Sequence, residues 1–308
     1  MTSLLDAYGA FHRWLHTPVT TASVACYRIG IGAIAFASAL AVAPDWLVWF
    51  GPEGFFSTAK GVKGVSGAGI DLLTWLPPTD AAAWAFWGVH AACALALLLG
   101  FGTRLAALGC FLTLASMHNH APLLIGGGDK LLRMMALWLA FSQAGAAYSV
   151  DRWLRIRRGK EPAGPPPDAD PWAQRMMQLQ LAILYGITVI AKVAGEPWLD
   201  GTAVYYALHI EVLKGLPLPG AFYTGWASQA LTWGTLVVET ALAVLIWFRE
   251  TRMVTLLAAL GLHLGLMWSM SLGQFQVLMI VSLLVWVDPR AMWASLRQGR
   301  WPGSSAAI

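Results

Sequence analysis

Four side chains in this sequence could carry proton chemistry in surroundings that make charge expensive. They are Arg28, Lys192, Glu239 and His263, each set in a run of apolar residues. A charged group at the centre of a membrane helix costs about 2.5–3.5 kcal/mol on insertion scales, so each requires a partner, a cavity or a function. Lys192 closes the run "YGITVIAK", after which "VAGEPWLDG" breaks the pattern with Gly195, Pro197, Trp198 and Gly201. Stepping back from Lys192 at helical spacing gives Thr188, Tyr185, Leu181, Gln178 and Gln174, a stripe that is polar at every position but Leu181. Such a stripe faces the interior of a helical bundle. Thr232, Thr235 and Glu239 share one face in the same way. Glu239 is therefore the expected acidic partner of Arg28 or of Lys192.

Two readings of Lys192 stand side by side. With its helix starting near Gln174, the lysine lies about 27 Å along the axis, near a headgroup region where it can snorkel. Alternatively, partial burial disfavours the charged form of an amine and leaves one able to accept a proton. His263, in "LLAALGLHLGLMWSM", and Arg28 are both of types that bridge helices more often than they bind ligands.

Other polar clusters carry weaker signals. "MHNH", 117–120, sets two histidines two apart, and a metal centre needs a third ligand from elsewhere. In "IGGGDKLLR", Asp129 and Arg133 are spaced as a pair one turn apart at the start of a helix, and the glycines are not followed by the Lys-Ser/Thr of a phosphate loop. No serine elbow, CxxC, HExxH or dinucleotide fingerprint is present, which excludes the common soluble enzyme classes. Cys26, Cys93 and Cys110 all sit in apolar runs and suggest no disulfide framework.

The elements that must position these residues are membrane helices. Of the 308 residues 57% are hydrophobic and only 12% charged, and the mean hydropathy is +0.59; soluble domains carry about 25% charged residues. Segments long enough to cross about 30 Å of hydrocarbon read as 20–43, 81–100, 104–120, 129–149, 174–193, 226–248, 253–272 and 273–288. The fold class expected is thus all-α, a polytopic bundle of about eight transmembrane helices. The first run exceeds a signal-peptide core and contains Arg28, so it reads as a retained helix. Thirteen of the 20 lysines and arginines fall on one side of this topology, which orients both termini to the cytoplasm. The net charge of +4 reflects this asymmetry and no nucleic-acid surface.

The chain reads as one domain over 1–308, with helices 1–4 and 5–8 joined by a basic, proline-rich cytoplasmic linker over 151–173 that is expected to be irregular. Segments 44–80 and 194–225, rich in Trp, Pro and Gly, suit interfacial or re-entrant structure on the outer side. The tail 292–301, with Trp293, Trp301, Arg297 and Arg300, suits a short helix on the cytoplasmic leaflet.

In this order, "MHNHAPLLIGGGDKLLR", "FSQAGAAYSVDRW", "LQLAILYGITVIAKVAGEPWLDGTAVYYAL", "VVETA" and "GLHLGLMWSMSLGQFQVLM" resemble the HTTM domain, the membrane module related to vitamin K-dependent gamma-carboxylase. The resemblance runs from Arg28 to Asp288 and is most specific at the Lys-to-Trp-to-Gly stretch and "YSVD". It implies that Lys192 takes a proton from a reduced quinone of the vitamin K type, that His263 positions or polarises the quinol, and that Glu239 belongs to the same module. Arg28, Tyr185, Trp198, Asp129 and Arg133 are expected on the substrate-binding side. Two departures stand out. Ala146 occupies the neighbourhood where the carboxylase has a histidine before "YSVD", and the large lumenal region that captures a protein substrate has no counterpart.

The expected location is the cell (inner) membrane of a bacterium, and the expected partners are the lipid bilayer together with a quinone, a lipid or a secreted peptide. The expected activity is proton or redox chemistry on a quinol or other lipid-soluble substrate, of the carboxylase/epoxidase type. Two other classes compete with it. One is a non-catalytic accessory protein that binds a lipid or peptide, as in the maturation of peptide toxins; the other is a transporter, for which paired broken segments are expected.

Overall fold

The structure, a computed structural model, describes residues 2–56 and 69–298. Lys60, Lys63, Arg300 and Trp301 therefore lie outside the described residues. The chain is overwhelmingly helical and divides into two compact units, Met1–Met176 and Met177–Ile308.

In the first unit the helices Ala22–Val42, Asp80–Leu99, Thr103–His120 and Gly127–Phe141 each pack on the next. The first two approach so closely at Gly32 that a Cβ there would lie 2.4 Å from the backbone nitrogen of Leu98. Thr79 caps the helix Asp80–Leu99 by accepting from the Ala82 amide, and Gly100 ends it in the left-handed conformation (φ +69°).

The turn that follows is clamped by the "YSVD" segment. Asp151 accepts hydrogen bonds from the Gly102 amide and from both the amide and hydroxyl of Thr103, at 2.7–2.8 Å. Burial pushes the Asp151 carboxyl up, but these donors outweigh it and hold the group below the usual carboxylate range. Arg28, fully buried, donates through Nη2 to the Tyr148 carbonyl at 2.7 Å. Its Nη1 lies over Gly100, where a Cβ would sit 1.5 Å from that nitrogen.

The linker is more ordered than its composition suggests. Ser149 caps a helix, Val150–Arg157, by accepting from the Arg152 amide. Glu161 then accepts from Nε of Arg152 and of Arg155, at 2.8 and 2.9 Å, and Arg152 Nη2 reaches the carbonyls of Gly164 and Pro165. The bond from Arg155, against the opposing effect of burial and with further help from Arg152, holds the Glu161 carboxyl below its ordinary value. Beyond it Asp168–Ala169 pairs antiparallel with Val19–Thr20. Proline and charge forbid a continuous helix here, yet two arginines and one carboxylate knit the segment back onto its own unit.

Part of segment 44–80 is buried against the helices of its own unit. Trp46, Phe50, Phe56 and Leu73 form an apolar cluster with Ala83, Phe86 and Ala121, and the Trp46 indole donates to the Ala83 carbonyl at 2.9 Å. Residues 57–68 of that segment lie outside the described residues.

In the second unit Gly225–Val244 packs on Arg249–Ser269, which packs on Phe275–Ser282. The long helix Trp172–Val193 begins in the first unit and supplies the second with its polar stripe. Gln178 donates to the Val285 carbonyl at 2.7 Å and Tyr185 reaches His263. Segment 194–225 is a succession of short helices and turns, among them Glu196–Leu199 and Ala203–His209. It is fastened where the amides of Gly215 and Leu216 donate to the carbonyls of Ser269 and Trp268.

Among the described residues five helices are long and apolar enough to cross a membrane: Ala22–Phe50, Asp80–Leu99, Trp172–Val193, Gly225–Trp247 and Arg249–Ser269. A sixth is reached if Phe275–Trp286 and Pro289–Arg297, bent by 78°, count as one span. The expected count of about eight exceeds this for physical reasons. Thr103–His120 is interrupted by Arg104, Thr113, Ser116, His118 and Asn119, and Gly127–Phe141 has only 15 residues, about 22 Å of rise against about 30 Å of hydrocarbon. The bend near the C-terminus coincides with Asp288, which caps Pro289–Arg297, and with Pro289 at its first position. In that last helix the Arg297 guanidinium lies 5.3 Å from the centre of the exposed Trp293 ring.

Candidate functional site

The second unit contains a cavity of about 410 Å³. Its walls come from four stretches that the sequence singles out: the end of Trp172–Val193, segment 194–225, the middle of Gly225–Val244, and Gly261 to Met279. Aliphatic and aromatic side chains such as Leu184, Leu218, Phe222 and Leu266 make up most of the lining. A cavity of this size and character accommodates a lipid-soluble molecule with a few points of polar recognition.

The polar points form two groups. In the first, Lys192 donates from Nζ to both carboxylate oxygens of Glu239. The two side chains are 22% and 11% exposed, so the pair is largely withdrawn from solvent. Trp198 lies on the other flank of the ammonium, with its ring centre 5.0 Å from Nζ. The helix Trp172–Val193 carries the lysine, the middle of Gly225–Val244 carries the glutamate, and the turn that opens at Gly195 brings the indole back over the ammonium.

In the second group the Tyr185 hydroxyl lies 2.9 Å from His263 Nε2, and His263 Nδ1 lies 2.6 Å from Gln276 Oε1. With Gln276 Oε1 able only to accept, Nδ1 carries the proton and Nε2 accepts from the tyrosine. All three side chains are buried and all three line the cavity. The imidazole is thereby held in one tautomer and one orientation.

The structure brings Lys192, Glu239, His263, Tyr185 and Trp198 together around one cavity. Glu239 takes Lys192 as its partner and not Arg28, whose hydrogen bond goes to the Tyr148 carbonyl. Arg28, Asp129 and Arg133 belong to the first unit, and none of them lines the cavity. Asp129 closes the first turn of Gly127–Phe141 by accepting from the Gly126 amide at 2.8 Å. In "MHNH", His120 Nδ1 lies 3.1 Å from an Asp71 carboxylate oxygen and Asn119 donates to the Ile70 carbonyl. No three His, Cys, Asp or Glu gather as a ligand set among the described residues.

Gln276 escapes a reading by sequence. It stands in the apolar run "FQVLMIVS" as an isolated amide, the same signal as His263 in "LLAALGLHL", but an uncharged amide in a helix is too inexpensive to draw notice.

The profile of the HTTM domain matches residues 66–291. The uncharacterized protein YitO of Bacillus subtilis (strain 168) is 27% identical over 121 residues, which are 37% of this chain and 38% of that protein, so the match spans less than half of its length. No solved structure matches the chain.

Proposed function

The chain belongs to the HTTM domain family, and from that premise we propose that its second unit binds an uncharged, lipid-soluble molecule with an acidic O–H and removes a proton from it. The observation that carries this reading is an ion pair, Lys192–Glu239, on the wall of a largely apolar chamber. In such surroundings the pair can pass one proton from Lys192 to Glu239, leaving an amine and a carboxylic acid without separated charge. The amine then takes the hydrogen of the ligand hydroxyl: an N–H bond forms, the O–H bond breaks, and the electron pair stays on the ligand oxygen beside the new ammonium. Trp198 faces that ammonium and favours it. Tyr185 and His263 fix a second polar edge that orients the ring.

A quinol of the vitamin K type is the substrate class that the carboxylase relationship favours. The chemistry belongs to an integral protein of the cell (inner) membrane with both termini cytoplasmic. An even number of crossings meets that orientation, the five long apolar helices with the bent pair Phe275–Trp286 and Pro289–Arg297 as the sixth.

A second reading draws on the same pair. A lysine already neutralised by a glutamate is what a structural anchor in a non-catalytic lipid- or peptide-binding protein has. The two readings differ in their response to arginine, which keeps the charge and the carboxylate bond but cannot become a neutral base.

The test uses 2-naphthol, an apolar probe whose ionised form absorbs at longer wavelength. Wild-type protein in nanodiscs is expected to show bound naphtholate at a pH where the free probe is protonated, while Lys192→Met and Lys192→Arg bind the probe in its neutral form. Equal ionisation in these variants and the wild type overturns the role of Lys192 as the base.

A further inference from the structure

Gln276 is a polar group of the cavity that the proton transfer leaves unused. The residue is 1% exposed and lines the cavity, and its Nε2 is a buried donor with no hydrogen-bond partner. Its Oε1 is taken by His263 Nδ1, and His263 Nε2 is taken by Tyr185, so the rest of this chain of contacts is satisfied.

Native interiors pair nearly all buried polar groups, and an orphaned one costs about 1–3 kcal/mol. A trapped water is a poor substitute, because it needs two to four polar partners. Phe275, next in the chain, and Met279, one turn further along the same helix, line the cavity and offer none. What fits is an uncharged oxygen presented by an apolar molecule.

We infer that the side-chain amide of Gln276 hydrogen-bonds a carbonyl or hydroxyl oxygen of the ligand that occupies this cavity, and so selects oxygen-bearing apolar molecules over plain hydrocarbons. The inference rests on the reading that the cavity is a ligand site, and it adds a specificity-determining residue to it. The two recognition points are then chemically distinct, with an ion pair for the hydrogen that leaves and a neutral amide for an oxygen that stays.

The experiment measures binding of two radiolabelled probes, menadione and 2-methylnaphthalene, to the full chain in nanodiscs. The probes share a methylated naphthalene skeleton and differ in the two carbonyls. Wild-type protein is expected to prefer menadione by about tenfold, the equivalent of one hydrogen bond of about 1.4 kcal/mol. Gln276→Leu removes both polar atoms of the amide. Gln276→Glu keeps an acceptor for His263 Nδ1 but puts an oxygen where Nε2 stood, so it preserves the local fold if the leucine variant does not. Both are expected to bring the preference close to unity. A preference for menadione that survives in either folded variant overturns the inference. Equal binding of both probes by wild type overturns it too, while leaving the ligand site intact. If wild type binds neither probe, the ligand-site reading fails and the inference fails with it.

Discussion

Separating Lys192 from Glu239 tests the heart of the second unit. Glu239→Leu leaves an ammonium with only the face of Trp198 for company, and Lys192→Met leaves a carboxylate against an apolar wall. Removing one member of a fully buried pair costs about 3–5 kcal/mol. Here the lysine side chain is 22% exposed and the glutamate 11%, so water screens part of the field and about 2–3 kcal/mol is the expected loss for each single variant. The double variant, Lys192→Met with Glu239→Leu, replaces both charges with apolar groups of similar length and is expected within about 1 kcal/mol of wild type. The coupling energy of the cycle is then about 3 kcal/mol or more. It can be read from reversible unfolding in mixed micelles of sodium dodecyl sulfate and a mild detergent. A coupling below about 0.5 kcal/mol, the value of an exposed pair, refutes the reasoning and returns Lys192 to the role of a snorkelling anchor.

The same architecture makes further claims. Gly32→Ala drives a methyl into the backbone of Leu98 and is expected to destabilise the first unit by about 1–3 kcal/mol, seen as a lowered unfolding midpoint; an unchanged midpoint contradicts that close approach. Glu161 has a folded pKa below its unfolded one, so its clamp contributes stability above the unfolded value of about 4.3 and loses it as the pH falls through the lower folded value. Hydrogen exchange in residues 158–167, taken relative to the intrinsic rate at each pH, is accordingly expected to stay slow at pH 7 and 5 and to become fast only as the pH drops below the unfolded value. Glu161→Gln should show the fast pattern at pH 7, and slow exchange in that variant argues against the clamp.

Much of the site can be read from the sequence because period and polarity coincide. The stripe Gln178, Tyr185 and Lys192 recurs at helical spacing through an apolar run, and in the structure Gln178 and Tyr185 are buried while Lys192 meets Glu239. The pairing of Tyr185 with His263 bridges 78 positions and depends on how two helices face each other, which periodicity does not encode. Gln276 carries too small a cost to stand out, and its importance comes from an unpaired atom that only a packed interior reveals. The linker misleads for the opposite reason. Its prolines and charges are real breaks, but Arg152, Arg155 and Glu161 lie close enough in the chain to close it on itself. Arg28 looks like a ligand contact by its isolation in an apolar helix. Its Nη2 instead bonds the carbonyl of Tyr148, a residue with positive φ, and its Nη1 lies over Gly100, a contact that needs the turn after Leu99 to be built first.

The most direct test of the central claim is mass spectrometry of what the cavity of the second unit holds. Protein purified in mild detergent is extracted and its small molecules counted against protein, side by side with Gly265→Phe, which puts a ring into the open space beside a cavity-lining residue. The account predicts a near-stoichiometric apolar, oxygen-bearing molecule in the wild type that is lost from the variant. Its absence from the wild type, or equal amounts in both, contradicts the account.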